Sequence, residues 1–175
     1  TLWGTTSTGG ASNLGVIYKI AGGVFSTVYS FRGGMSDGAN PAHSAMLQAS
    51  DGNLYATTQF GGTANQGTVF RLNPTTGTVT ILHSFTGLQQ VTGDDEPTTA
   101  QDGLQPGANP IEGPDGRLYS VSGGGGAFGG GIAYSIKKDG SEYTQLYTFA
   151  GGPESGGLTS TLIFAPDGNF HGTGQ

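Results

Sequence analysis

Asp51-Gly52-Asn53-Leu54-Tyr55-Ala56-Thr57-Thr58 is the stretch on which the fold turns, because close variants of it recur along the chain. They are Asp115-Gly116-Arg117-Leu118-Tyr119-Ser120 and Asp167-Gly168-Asn169-Phe170-His171-Gly172-Thr173, and the chain opens on the related Leu2-Trp3-Gly4-Thr5-Thr6. Measured between the first apolar residues Leu2, Leu54, Leu118 and Phe170, the spacings are 52, 64 and 52. A period near 50 marks propellers and related arrays, here with one long copy.

Working outward from this phrase, each complete copy holds four short apolar segments, A to D. Segment A is Ala45-Met46-Leu47-Gln48-Ala49 and B is Leu54-Tyr55-Ala56-Thr57-Thr58. Between them Ser50-Asp51-Gly52 reads as a tight turn whose glycine supplies a positive φ. The glycine-bearing stretch 61–66 leads to C at residues 67–72, and Asn73-Pro74-Thr75-Thr76-Gly77 leads to D at residues 78–85. Segment C recurs at 15–20 and 131–136, and D at 24–31 and 142–149. The chain thus reads B-C-D, A-B-C-D, A-B-C-D, A-B, an expectation of 13 strands.

The divisions drawn on this pattern are a partial blade over 1–41, a blade over 42–107, a blade over 108–157 and a partial blade over 158–175. The extra length of the long copy falls in the polar stretch 88–106, read as a surface insertion. Its end, Gly107-Ala108-Asn109-Pro110, is matched to Gly38-Ala39-Asn40-Pro41.

Composition supports an all-β chain. Thirty-five glycines, eight prolines and only 10% charged residues leave no amphipathic helical stripe. A four-stranded sheet with alternating apolar residues must stack on its neighbours to bury both faces. Propeller blades do this around an axis, usually with about 4 to 8 blades. About three blade equivalents imply part of a longer ring, or a ring completed between copies. The alternative is a β-trefoil, which the leftover A-B pair disfavours. The chain starts at Thr1 with neither methionine nor a signal-like segment, which reads as a processed chain or a fragment.

A net charge of −6 and six scattered Lys and Arg residues argue against nucleic acid as a partner. No apolar run approaches the length of a membrane span. The absence of cysteine removes disulfides and thiolate metal sites.

The run Leu-Tyr-Gly-Thr-Thr followed by Gly-Gly, then Gly-Thr-Val-Phe-Arg-Leu, Leu-His-Ser-Phe and Asp-Gly-Ala-Asn-Pro, resembles the GloVer-type (Gloeo/Verruco) tandem repeat over nearly the whole chain. The second copy matches best, and the fourth departs at Phe170-His171. The resemblance implies a bacterial repeat protein, secreted or at the cell surface, with propeller-like repeats of about 52 residues. It brings no defined activity.

Candidate site residues follow from which turns share an end of the sheets. In a propeller the D-to-A and B-to-C connections emerge on one face. That face gathers Asn40, His43, Phe60, Asp94, Asp95, Asn109 and Phe128 as candidate ligand-binding residues. Aromatics among Asn, Asp and Gly suit sugar recognition, and the competing reading is that Phe60 and Phe128 cap the core between blades. Asp51, Asp115, Asp139 and Asp167 read as turn residues on the opposite face.

His43 and His171 are the candidate acid/base residues, His171 standing where other copies have Trp3, Tyr55 and Tyr119. The competing reading of His171 is an inter-blade packing position that accepts an aromatic-sized ring. His83 falls on the outermost strand, so no histidine metal triad is expected. Asp37-Gly38-Ala39-Asn40 or Asp94-Asp95-Glu96 could offer oxygens to calcium, but neither has the spacing of a known calcium loop, and no cofactor is expected.

These readings favour an extracellular binding or surface-assembly module with carbohydrate, such as a cell-surface polymer, as ligand, and with self-association through unpaired edges. The alternatives are a polysaccharide lyase or glycosidase on a propeller scaffold, and a purely structural self-assembling array.

Overall fold

The computed structural model describes residues 1–41, 45–87, 102–150 and 160–173. Among these residues it is all-β, with sixteen strands, every strand pairing antiparallel, and no helix. The first sheet is a meander of β1 (Leu2–Thr6), β2 (Val16–Ala21) and β3 (Val24–Ser30). The second comprises β4 (Gly38–Pro41), β5 (Leu47–Gln48), β6 (Leu54–Gly61), β7 (Thr68–Leu72) and β8 (Val79–Ser84). Here β4 and β5 both pair with β6, and β7 and β8 follow in order.

The third copy repeats the plan with β9 (Gly103–Leu104), β10 (Ile111–Glu112), β11 (Leu118–Val121), β12 (Gly124–Gly125), β13 (Ile132–Ile136) and β14 (Thr144–Thr148). Its sheet order is β10-β11-β13-β14, and β9 pairs separately with β12. A two-stranded unit of β15 (Ile163–Phe164) and β16 (Phe170–His171) completes the described chain.

Segments B, C and D form as the pattern predicts, but segment A forms as two pieces, which raises the strand number above 13. The cause is local chemistry. Asn40 and Gln105 take φ of 52° and 47°, and each is followed by a proline, which has no N–H for a ladder. The outer piece holds the far end of strand B, with Gly38 opposite Gly61 and Ala39 opposite Phe60. Strand β6 therefore continues three residues past Thr58, and the second sheet starts at Gly38, ahead of the division drawn at 41.

The same geometry corrects the match made for the long copy. Asp102-Gly103-Leu104-Gln105-Pro106 occupies the place of Asp37-Gly38-Ala39-Asn40-Pro41. Gln105 N donates to Gln66 O and Asn40 N to Leu14 O, both at 2.8 Å, and each proline closes on the glycine that opens strand C. Gly107-Ala108-Asn109-Pro110 is a separate phrase that happens to repeat the letters. The insertion proper falls before Asp102, largely outside the described residues.

Successive sheets stack face to face, as strand alternation requires. In β6, Leu54 and Ala56 point toward the first sheet with Phe70 and Leu72 of β7, where they meet Ile17 and Phe31. Tyr55, Val69 and Phe85 point the other way, onto Leu118, Ile132, Tyr134 and Ile136 of the third sheet. A smaller contact places Val121, Ala133 and Phe149 near Leu162. The central sheet is thus covered on both sides, which is why β6 is buried through five consecutive residues.

One aromatic contact recurs at both large interfaces. Phe31 meets Phe70 edge-on at 5.3 Å and 67°, and Phe85 meets Tyr134 at 5.3 Å and 70°. Glycine permits the close approach of chain around it. Gly67, at φ 102°, leaves no room for a Cβ, which would stand 2.5 Å from Thr58 O and 2.6 Å from Pro106 Cδ.

Among the described residues the buried Tyr134 hydroxyl has no partner at good hydrogen-bond geometry, Ser120 being the nearest polar side chain acting on it, and the equivalent residue in the second copy is Phe70. An unpaired buried hydroxyl costs about 1–3 kcal/mol. Tyr134→Phe should therefore leave the urea midpoint unchanged or raise it; a drop in stability beyond about 1 kcal/mol would show that the hydroxyl is bonded.

Candidate functional site

The D-to-A crossings and B-to-C loops share one end of the sheets and are tied together there. Gly62 N donates to Asp37 O at 2.9 Å and Gly126 N to Asp102 O at 3.1 Å. The three B-to-C loops are copies of one conformation. Positive φ recurs at Gly9, Gly61 and Gly125, at Gly10, Gly62 and Gly126, at Asn13, Asn65 and Gly129, and at Gly15, Gly67 and Gly131. Each loop is closed by the same bond, Gly15 N to Gly9 O, Gly67 N to Gly61 O and Gly131 N to Gly125 O, all at 3.1 Å. Asn13 and Asn65 add a side-chain clasp, accepting from Gly9 N at 2.9 Å and from Gly61 N at 2.8 Å. Asparagine and glycine are the residues that tolerate this left-handed position.

Phe60, the residue of β6 before the second loop, and Phe128, within the third loop, have 37% and 68% of their surface exposed. Both rings therefore face outward, one from the end of a strand and one from a loop. Asn40 is half-buried, and its Nδ2 donates to Ser7 O at 3.0 Å. Asn109 is only 1% exposed. Its Oδ1 accepts from Thr57 N at 2.8 Å and from Thr57 Oγ1 at 3.2 Å, while its Nδ2 donates to Ala45 O at 3.1 Å. That carboxamide fastens the third copy to β6, an interior strand of the second sheet, and is not presented to a ligand. His43, Asp94 and Asp95, with Glu96, lie outside the described residues.

Two aspartates that the sequence reading weighed little, or only as calcium ligands, organise this end. Asp37 Oδ2 accepts from Tyr29 Oη at 3.0 Å and Arg32 N at 2.8 Å, and Oδ1 from Gly38 N at 2.8 Å. Asp102 repeats the arrangement, with Thr86 N at 3.0 Å, Gly103 N at 2.8 Å, and His83 Nε2 at 3.0 Å in the place of the tyrosine. Tyr143 of the third copy adds a bond of 2.7 Å to Asp102 Oδ1 and stacks on the His83 ring at 3.8 Å and 9°. Because copy one builds the same latch with Tyr29, His83 is explained by its structural partner and needs no catalytic role. The signal in the sequence was the recurrence of Asp-Gly six residues after Phe31 and seventeen after Phe85, obscured by the insertion.

Burial alone would raise the Asp102 carboxyl, but the bonds from His83 and Tyr143, the nearby imidazole and Thr86 N outweigh it and hold it below its ordinary value of 3.8. Burial and the adjacent carboxylate push the Tyr143 hydroxyl far up.

At the opposite end the Asp-Gly turns behave as turn residues. Asp51 accepts from Asn53 N at 3.1 Å and from Tyr55 Oη at 2.7 Å; Asp115 does the same with Arg117 N at 3.1 Å and Tyr119 Oη at 2.8 Å. Asp167 accepts from Asn169 N at 2.9 Å, and His171 Nε2 lies 3.0 Å from its other oxygen. His171 thus keeps the tyrosine's bond to its own turn, on the exposed surface at the end away from the glycine loops. Among the described residues no group of three His, Cys, Asp or Glu side chains converges as a metal site, and no helix is long and apolar enough to cross a membrane.

A family model, the Gloeobacter/Verrucomicrobia repeat, matches residues 1–107. The chain belongs to this family. The matched region of the Gloeobacter/Verrucomicrobia repeat spans the first sheet, the second sheet and the Asp102 crossing. No curated protein and no solved structure matches the chain.

Because the folded Asp102 carboxyl is held below its unfolded value, its stabilisation is complete above about pH 4 and is lost as pH falls through the folded pKa. Asp102→Asn should cost about 1.5–3 kcal/mol at neutral pH, since an amide cannot accept all these donors. That cost should shrink as pH falls below about 4 in urea titrations. A deficit independent of pH would refute the charged latch.

Proposed function

We propose that the stacked sheets are blades of a β-propeller and that the chain is a secreted or surface-exposed binding module whose ligand is carbohydrate. The observation that carries this reading is the pair of exposed phenylalanines at one end of the sheets, Phe60 at the end of β6 just before its glycine loop and Phe128 within the next one, where the loops share one conformation. A flat apolar ring covers one face of a sugar, while polar groups around it address hydroxyls. Loops held by positive-φ glycines and a closing hydrogen bond lose little freedom on binding, so each shallow contact keeps more of its interaction energy. Repetition along the array then favours a polymer over a single sugar, because linked weak sites gain by avidity. The acidic chain, with its net charge of −6, suits neutral or cationic glycans better than polyanions.

Retention on a panel of immobilised polysaccharides tests the proposal. Binding to at least one neutral glycan is expected, with Phe60→Ala and Phe128→Ala each reducing retention and the double variant abolishing it. Thermal midpoints should remain within about 2 °C, because neither ring is buried. No retention on a broad panel, or retention unaffected in the double variant, would remove carbohydrate as the ligand of this face.

A further inference from the structure

The glycine loop that carries Phe128 hangs on the crossing that leads into its own sheet. Gly124 pairs with Leu104 and Gly125 with Gly103, and Gly126 N donates to Asp102 O at 3.1 Å. Crossing and loop meet backbone to backbone: a Cβ on Gly125 would collide with Asp102 O, and one on Gly103 would stand 2.5 Å from Ser122 Oγ. Ser122 Oγ donates in turn to Gly124 O at 2.8 Å. With 68% of its surface exposed, Phe128 gains little of its position from packing. The ring goes where residues 102–104 hold its loop.

The crossing is itself fixed through the Asp102 carboxylate. Thr86 N, Gly103 N and His83 Nε2 approach it from the second sheet's strand D and from the crossing. Tyr143 comes from the third sheet, its hydroxyl 2.7 Å from Asp102 Oδ1 and its ring stacked on His83 at 3.8 Å. The first crossing lacks this fourth donor for a reason visible in the register. Thr144 lies opposite Ser135 and Thr80 opposite Arg71, so the place of Tyr143 in the second copy is held by Val79. Val79 packs into the core between the first two sheets and has no side-chain donor to offer Asp37.

We propose that the Tyr143 hydroxyl is a positioning group for the ligand face, setting through Asp102 the place of the Phe128 ring. Its bearing on binding rests on the reading of Phe128 as a sugar platform. A ring that stacks on one sugar face binds weakly unless it is already in place, because ordering it on binding consumes the little energy the contact supplies. Removing one hydroxyl some distance from the ring then weakens binding without touching the ligand.

An indole introduced by Phe128→Trp in the Trp3→Phe chain, which lacks the single native tryptophan, reports on the loop with no ligand present. Its fluorescence anisotropy should fall when Tyr143→Phe is added. It should stay unchanged with Tyr29→Phe, which deletes the corresponding bond at Asp37. No fall with Tyr143→Phe, or equal falls with both variants, would overturn the proposal. Retention on an immobilised neutral glycan should drop several-fold in the Tyr143→Phe chain, yet be no lower in Tyr143→Phe combined with Phe128→Ala than in Phe128→Ala alone. A further loss in the combined variant would place the action of Tyr143 elsewhere and overturn the proposal as well. A fall in anisotropy with no polysaccharide retained by the unsubstituted chain would support the positioning role and remove carbohydrate as the ligand.

Discussion

The edge-to-face contact between the phenylalanine that follows strand D and the aromatic ring in the next sheet's strand C sets the architecture. It recurs as Phe31 on Phe70 and Phe85 on Tyr134 with nearly the same separation and angle. Each ring pair sits in the middle of a face that alternation has already made apolar, so packing energy and ring geometry select the same arrangement. A sheet placed between two such contacts has both faces of its central strands covered. This explains why the second copy, flanked on both sides, carries the most continuous burial, while the first sheet and the last strand pair present large apolar side chains to solvent.

Polar interactions take over where this packing stops. At one end Asp37 and Asp102 gather the backbone of the D-to-A crossing and a ring from strand D, and Asn109 reaches back to the preceding sheet. At the other end Ser50 N and Oγ donate to Glu112 at 2.7 and 2.6 Å, and Lys138 closes the same cluster. These groups contribute orientation as much as energy. An apolar interface alone tolerates sliding, whereas a half-buried carboxylate with four donors, as at Asp102, accepts one register.

Much of this was legible in the sequence because the repeat phrase couples turn chemistry to strand alternation. Asp51-Gly52 marks the hairpin and Leu54-Tyr55-Ala56 assigns each side chain to a face, so three of the four strands follow directly. Strand A did not, because its interruption depends on Asn40 and Gln105 adopting left-handed φ, and glutamine is not a residue one expects there. Of the candidate site, Phe60 and Phe128 are exposed. Asn109 was misassigned because its letters repeat Asn40 while its backbone position does not, and the Asp102 latch was hidden by the insertion that separates it from Phe85.

If stacking of successive sheets holds the chain together, protection should fall outward from the centre. Hydrogen exchange of the native chain, read by mass spectrometry, tests this directly. The amides of Leu54–Gly61 and Thr68–Leu72 should exchange slowest, those of Ile132–Ile136 next, and those of Val24–Ser30 and the β15–β16 pair fastest. Slowest exchange in the first sheet, or equal protection across all sheets, would contradict a structure that depends on burial between neighbours.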